Sequence, residues 1–152
     1  MGPFKNRKKK PAPKTVADAL TKLLAAVPQG EAGGFVIFGG QSDYDYVQYS
    51  LEPTGLLLNW PTMQKGGTER LPLFEAYLKD RGYQAIEPTD GPPLPEQIDA
   101  MVKGQYMILD DGMYCQVGRD VAEISTMTKE LMASVFGEED EAAFQIQVAP
   151  HG

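Results

Sequence analysis

The sequence predicts an α+β protein in which helices pack on a single antiparallel sheet of five or six strands. Two groups of short apolar segments indicate the strands: three lie between residues 35 and 60, and two flank Asp111-Gly112. Amphipathic helical patterns come before, between and after these groups. The predicted order is one helix, three strands, a second helix, two strands, a third helix and a C-terminal strand.

The length and composition of the chain fit one globular domain. Of its 152 residues, 42% are hydrophobic and 23% are charged, which is ordinary for such a protein. We predict a single α+β domain over residues 15–149, preceded by a disordered basic tail over residues 1–14. All apolar segments are shorter than the roughly 20 residues that a membrane-spanning helix needs, so no membrane partner is expected.

Charge is distributed unevenly along the chain. The first fourteen residues carry +6 and the remaining residues carry −13. The basic positions of the tail are Lys5, Arg7, Lys8, Lys9, Lys10 and Lys14. A run of like charge beside prolines has little apolar surface to bury, so we expect a solvated tail; the alternative is a tail that binds nucleic-acid phosphates. Because the acidic body would repel a polyanion, nucleic acid is expected only through the Lys5 to Lys14 tail.

The first helix is predicted from Val16 to Val27. Thr15 can cap its N-terminus, with Asp18 three residues later, and Pro28 ends it. Its apolar residues recur at helical spacing, so one face would pack on the sheet.

Residues 35–60 predict a three-stranded antiparallel meander. Phe35 to Phe38 is an unbroken apolar run, and apolar and polar residues alternate from Tyr46 to Glu52. Glu52-Pro53-Thr54-Gly55 supplies a proline and a positive-φ glycine for the turn into the third strand. The residues of the third strand that share its buried face are Leu56, Leu58 and Trp60.

The middle of the chain predicts shorter elements. A second helix begins between Glu69 and Pro72 and ends at Arg81, before Gly82. Residues 83–86 are compatible with a short strand, and the four prolines of residues 87–95 indicate an extended connection. A helix of two turns at most follows over residues 96–102.

Asp111-Gly112 predicts a two-residue turn between the next two strands. The expected register places Ile108 opposite Cys115 and Tyr106 opposite Val117. We expect the first and last helices to pack on the sheet face that contains Val47, Leu58 and Ile108.

The last helix is predicted between Asp120 and Gly137. Asp120 can cap it, with Glu123 three residues later, and Gly137 ends it. After it, Phe144, Ile146 and Val148 alternate with glutamines, which predicts a further strand at a sheet edge.

The residue types that carry most enzyme chemistry are scarce in this sequence. One histidine, His151, and one cysteine, Cys115, cannot supply a zinc site. Asp43 and Asp45 are interpreted as polar residues at the entry of a strand. We therefore predict no catalytic site, no metal and no cofactor. Because a single cysteine cannot form an internal disulfide, a reducing, cytoplasmic location is expected.

The face of the meander opposite its apolar side is the candidate partner-binding surface. Its predicted residues are Tyr44, Tyr46, Gln48, Leu57 and Asn59. Tyrosine supplies contact area together with a hydrogen bond, so this mixture suits peptide or subunit contact. The alternative is that a helix or the C-terminal strand covers this face, and the sequence leaves both open.

The order of elements resembles the type III secretion chaperone-like fold, including the YbjN-like group. The resemblance covers about residues 15–137. The segments that carry it are Phe35-Val36-Ile37-Phe38, Tyr46-Val47-Gln48, Gly55-Leu56-Leu57-Leu58, and the long helix that follows Gly118-Arg119-Asp120 and closes at Val135-Phe136-Gly137. Proteins of that family are small, acidic, usually dimeric and non-enzymatic, and they hold extended segments of other proteins.

The resemblance implies a non-enzymatic module that binds a protein or peptide client and forms a homodimer. We expect the homodimer to bury the tyrosine and leucine face, including Tyr46 and Leu57. Two alternatives from other classes remain: a nucleic-acid-associated protein that acts through its basic tail, and an enzyme with a site of scattered carboxylates and tyrosines.

Overall fold

The chain folds into an α+β structure, seen in a computed structural model that describes residues 13–28 and 30–150. The strands are β1 (Phe35–Gly39), β2 (Tyr46–Glu52), β3 (Gly55–Pro61), β4 (Gln84–Ala85), β5 (Gln105–Leu109), β6 (Gly112–Gly118) and β7 (Gln145–Ala149). The helices are α1 (Val16–Ala26), α2 (Gly67–Asp80), α3 (Leu94–Asp99) and α4 (Val121–Phe136), with a short 3-10 helix at Glu141–Ala143. Residues 1–12 of the predicted tail, and His151, lie outside the described residues.

One mixed sheet joins all seven described strands in the order β4-β5-β6-β3-β2-β1-β7. The prediction of five or six antiparallel strands was therefore wrong in strand number and in direction, because β4 and β5 run parallel. Residues 86–104, which include α3, form the crossover that a parallel pair requires. The predicted order of main elements omitted β4 and α3, but the sequence indicated both: β4 lies within the short strand suggested for residues 83–86, and α3 begins two residues before the short helix predicted over residues 96–102.

The first helix is confirmed, with its end at Ala26. The Thr15 side chain accepts a hydrogen bond from the Asp18 N–H at 3.1 Å, as its position before the helix predicts. Val16, Leu20 and Leu23 are fully buried. The N–H of Val16 donates to the Glu141 carboxylate at 2.7 Å, which ties the start of α1 to the segment before β7.

The antiparallel meander of β1, β2 and β3 is also confirmed. The pairs Val36 with Tyr49 and Tyr49 with Leu58 align buried residues across the three strands. Gly55 has a φ of 145°, so the predicted positive-φ turn residue is present. Burial alternates strictly along β1 and β2, which gives the sheet one dry face.

The register predicted for the second hairpin was wrong by two residues. Leu109 pairs with Gly112, so the turn is Asp110-Asp111 and Ile108 faces Met113. Gly112 belongs to β6 because it pairs with Leu109 of β5 and Pro61 of β3, and a Cβ there would lie 2.6 Å from the Trp60 carbonyl oxygen. A shift of two residues keeps each side chain on its face. Ile108 nevertheless lies near the end of the hairpin and is 37% exposed, so it is not part of the face covered by the helices as predicted.

Helix α2 begins at Gly67, earlier than predicted, and Pro72 lies inside it. The carbonyl of Gly67 accepts a hydrogen bond from the buried Trp60 indole at 2.9 Å, which fixes this end of the helix on the sheet. Helix α4 matches its prediction: Asp120 caps the N–H of Glu123, and the helix ends at Gly137 with a φ of 71°.

The main core lies between one face of the sheet, the first face, and helices α1, α2 and α4. Its largest side chains include Trp60, Tyr49 and Phe74, all fully buried. The rings of Trp60 and Phe74 stack at 4.9 Å, and Phe136 of α4 completes this aromatic group at 5.6 Å from Trp60.

The opposite, second face of the sheet carries three of the candidate partner-binding residues, Gln48, Leu57 and Asn59. Tyr46 packs against the main core instead, and Tyr44 precedes β2, so the five residues do not share one face as predicted.

Candidate partner-binding surfaces

One half of the second face is covered by the chain itself. Leu57, Met101 and Met107 form a buried cluster. Partly buried residues from α3, the segments that flank it, β5 and β6 pack around this cluster. Those surrounding residues are Ile86, Ile98, Leu109 and Tyr114. The crossover between β4 and β5 thus packs on β3, β5 and β6, and it leaves β7, β1 and β2 without this cover.

Leu57 is only 6% exposed, so at this residue the alternative of a covered face holds, and the cover is the β4–β5 crossover, which includes α3, and not the C-terminal strand. Its side chain packs with Met101 and Met107 instead of facing solvent. The proline-rich segment appeared in the sequence as a connection without a core, and its contribution to burial could not be seen there. The homodimer stays a prediction, and Leu57 is not an exposed residue through which it could form.

Tyr44 and Tyr46 have different surroundings although both begin the β2 region. Tyr44 is 45% exposed, with the Lys65 ammonium 6.0 Å from its ring centroid. Tyr46 lies half-buried with its ring 5.6 Å from that of Trp60, and its hydroxyl donates to Gln64 at 2.7 Å. Burial raises the pKa of Tyr46 above the ordinary value of a phenol. Tyr44 is therefore accessible, and Tyr46 is anchored.

Gln48 and Asn59 form a cross-strand amide pair on the second face. The Gln48 amide donates to the Asn59 side-chain oxygen at 2.9 Å, and the Asn59 amide donates to the Met113 carbonyl at 3.1 Å. The two predicted residues are thus brought together, and their positions are fixed by the sheet.

An open groove of about 450 Å³ lies on the uncovered half of the second face. We call it the strand groove. It is lined by Ile37, Gly39, Gly40, Ser42, Asp43, Asp45, Tyr46, Gln48, Gln145 and Gln147. Of the five predicted residues, only Tyr46 and Gln48 line it.

The glutamines of β7 are the residues of the strand groove that sequence reasoning missed. Gln145 and Gln147 alternate with Ile146 and Val148, which identified a strand but not its neighbour in the sheet. Because β7 pairs with β1, Gln147 lies opposite Ile37, and the glutamine side of β7 continues the second face. Asp45, which also lines the strand groove, accepts a hydrogen bond on its carboxylate from the Arg70 guanidinium at 2.8 Å.

A second groove of about 570 Å³ lies where the tip of the β5–β6 hairpin meets α3. We call it the acidic groove. It is lined by Glu87, Pro88, Leu94, Pro95, Ile98, Ile108, Leu109, Asp110, Asp111 and Tyr114. The Tyr114 hydroxyl donates to the Asp111 carboxylate at 3.0 Å, and burial, together with this hydrogen bond, raises the pKa of Tyr114 to about 12.

Two kinds of group could support catalysis: a cysteine nucleophile and a cluster of metal ligands. Cys115 is fully buried on the first face, and burial raises the pKa of its thiol, so the thiolate nucleophile is disfavoured. Within residues 13–28 and 30–150, no three His, Cys, Asp or Glu side chains come together as metal ligands would. No helix in the same ranges has the length and apolar character needed to cross a membrane.

No protein-family model matches this chain, and no curated protein or solved structure is significantly similar to it. The resemblance to type III secretion chaperones stays a prediction from the pattern of elements.

Proposed function

We propose that this protein is a non-enzymatic module that binds an extended segment of a client protein along β7 and the strand groove. One observation carries the proposal: β7 is the outer strand of the described sheet, and the strand groove begins on its Gln145 and Gln147 side chains. An outer strand offers main-chain donors and acceptors that a peptide can pair with by adding one more strand.

The chemistry of the strand groove suits a peptide next to that edge. The amides of Gln145 and Gln147 can donate and accept hydrogen bonds, and half-buried Ile37 adds an apolar contact. Exposed Asp43 favours a basic side chain of the client. The combination supports recognition of a main chain together with a few side chains, as chaperone-like clients require.

The acidic body of the protein also bears on the choice of client. With −13 on the residues after the tail, the body attracts neutral or basic segments and repels polyanions. The proposal places the protein in the cytoplasm, a reducing compartment in which the buried Cys115 thiol remains reduced.

The experiment selects binders from a displayed library of random peptides on the full chain and measures their affinities. Gln147→Arg would place a long charged side chain in the strand groove. The matched control, Gln84→Arg, makes the same change on exposed β4 at the other edge of the sheet. We expect the selected peptides to lose at least about tenfold in affinity for Gln147→Arg, roughly 1.4 kcal/mol, and to bind the control as they bind wild type.

Main-chain pairing gives a second readout. In an added strand, only every second residue directs its N–H toward β7. N-methylation of a selected peptide should therefore weaken binding at either the odd or the even positions, but not at both. Peptides that bind Gln147→Arg and Gln84→Arg equally well, with no alternation, would contradict the proposal.

A further inference from the structure

The acidic groove combines exposed apolar side chains with carboxylates. Leu94 is 42% exposed, and exposed Pro88 also lines the groove. Exposed Glu87, Asp110 and Asp111 supply negative charge in the same lining. In the described part of the chain, no lysine or arginine forms an ion pair with any of the three. A partner that fits this groove carries apolar and basic residues close together.

The N-terminal segment of this same chain has that composition. Pro3-Phe4 provides the apolar residues, and five basic residues follow between Lys5 and Lys10. We propose that the N-terminal segment of a second copy of this chain docks in the acidic groove, with Phe4 against Leu94 and Pro88 and the lysines beside the carboxylates.

The position of α1 favours a second copy over the same molecule. Val16 is held beside Glu141, at the β7 side of the sheet, whereas the acidic groove lies at β5. Five strand spacings separate β7 from β5, about 24 Å at 4.8 Å each. Lys10 lies six residues before Val16 and can reach only about 20 Å when fully extended. Within one molecule, Lys5 could reach the carboxylates but Lys9 and Lys10 would fall short of them, whereas a segment from a second copy can place the whole basic run beside the groove.

Two copies can exchange their segments reciprocally, which gives a closed two-fold dimer. Because the contact depends on charge, we expect the association to weaken as salt rises. This surface is separate from the strand groove, so either proposal can fail without the other.

The test measures the mass of the full chain by light scattering in low salt and in about 0.5 M salt, where the Debye length is only a few ångströms. Wild type should have twice the chain mass in low salt and the mass of one chain in high salt. Glu87→Lys with Asp110→Lys should remain monomeric in both. The matched control, Glu31→Lys with Glu139→Lys, makes the same charge change at exposed positions and should behave as wild type.

A spin label identifies the docked segment. It is attached at position 6 of an unlabelled copy carrying Asn6→Cys, which keeps Phe4 and the basic residues and whose buried Cys115 stays unreactive, and this copy is mixed with ¹⁵N-labelled wild type. We expect the spin label to broaden the NMR signals of the backbone amides of Ile108, Leu109 and Tyr114 in the ¹⁵N-labelled copy. This broadening should disappear in high salt.

Four outcomes would overturn the proposal. Wild type could be a monomer in low salt at tens of micromolar, or the groove double variant could dimerise as the control does. The variant with Lys8, Lys9 and Lys10 changed to Ser could remain dimeric. Groove amides whose NMR signals do not broaden in the mixed sample would assign the segment to another contact, such as single-stranded RNA.

Discussion

Leu57 and Leu58 are neighbours in sequence but belong to different apolar clusters, because successive side chains of a strand point to opposite faces. Leu58 is fully buried in the main core, and Leu57 is buried with Met101 and Met107 under the β4–β5 crossover. The two leucines therefore report separately on the two layers that cover the sheet.

We predict that Leu57→Ala and Leu58→Ala each lower the free energy of unfolding by about 2 to 5 kcal/mol, because each leaves a cavity in a packed cluster. Urea denaturation measures the change. Met63→Ala serves as the control, since Met63 is 81% exposed and its truncation should change stability by less than about 0.5 kcal/mol. A change at Leu57 as small as that of the control would show that the crossover does not cover this residue.

The tyrosine hydroxyls predict how stability responds to alkaline pH. Burial is the main cause that raises the pKa of six of them, and the pKa of Tyr83 rises to about 12. The six are Tyr46, Tyr49, Tyr77, Tyr83, Tyr106 and Tyr114. In the unfolded chain a phenol ionises near pH 10, so the unfolded state loses protons there before the folded state does.

This stability is fully present below pH 10 and is lost as pH rises toward the raised pKa values. The slope is about 1.4 kcal/mol per pH unit for each proton that only the unfolded state has released. Tyr83→Phe removes one such group, and its buried hydroxyl has no hydrogen-bond partner among the described residues. Between pH 10 and pH 12 we expect the pH slope of the free energy of unfolding to decrease by the amount that corresponds to about one proton. Stability at pH 7 should change little. Urea denaturation at several pH values measures both. An unchanged slope would contradict the assignment.

At the scale of single elements, Gly112 allows the start of β6 to lie close to β3. A Cβ at this position would lie 2.6 Å from the Trp60 carbonyl oxygen, so the backbones of β6 and β3 approach too closely for a side chain. Gly82 after α2 has a φ of 84° but nothing within 4 Å of its Cβ position. Comparing an alanine substitution at each of these glycines therefore separates the cost of a steric clash from the cost of an unfavourable backbone conformation.

We predict that Gly112→Ala destabilises the protein by more than Gly82→Ala. The change at Gly82 costs only the left-handed backbone conformation, about 1 to 2 kcal/mol. The change at Gly112 adds a clash that separates two strands in the centre of the sheet. Thermal unfolding of the two variants compares them directly, and equal losses would mean that β6 can move away from β3 without cost.

The sequence predicted helices that have a capping residue and strands in which apolar and polar residues alternate. Thr15 and Asp120 marked the starts of α1 and α4, and the alternation after Tyr46 identified β2. What the sequence missed depends on distant contacts: residues 83–86 indicated a short strand, but not that β4 pairs in parallel with β5. Likewise, Asp111-Gly112 has the composition of a turn, but Gly112 pairs with Leu109 and with Pro61, about fifty residues away in sequence, and so lies in a strand.

At the scale of the whole molecule, the sheet is covered by two layers of unequal size. The helices on the first face enclose the main core, whereas the crossover on the second face encloses only Leu57, Met101 and Met107 completely. Less apolar burial means a smaller free energy of local opening. The two layers should therefore open separately.

We predict that hydrogen exchange separates these layers. The slowest amides should lie in β1, β2, β3, β6 and α4, and the amides of α3 should exchange through a local opening of the crossover. Mass spectrometry of exchanged peptides resolves these segments. Exchange of α3 as slow as that of β3 would show that the protein opens as one unit.

The candidate surfaces were less predictable than the fold. The sequence placed Gln48 and Asn59 together correctly, because adjacent strands of a meander align their faces. It could not place β7 beside β1 or the crossover over Leu57, since both depend on which distant segments meet. The residues of the strand groove and of the acidic groove follow from those two placements.

The pairing of β1 with β7 has a consequence for synthesis on the ribosome. Residues 35–39 are made early, yet their partner on one side is residues 145–149, and the start of α1 waits for Glu141. While translation proceeds at about 5 to 20 residues per second, the outer edge of β1 therefore remains open for several seconds. During that interval the nascent chain presents Val36 and Phe38 on an incomplete sheet, and a ribosome-associated chaperone would have its opportunity to bind there.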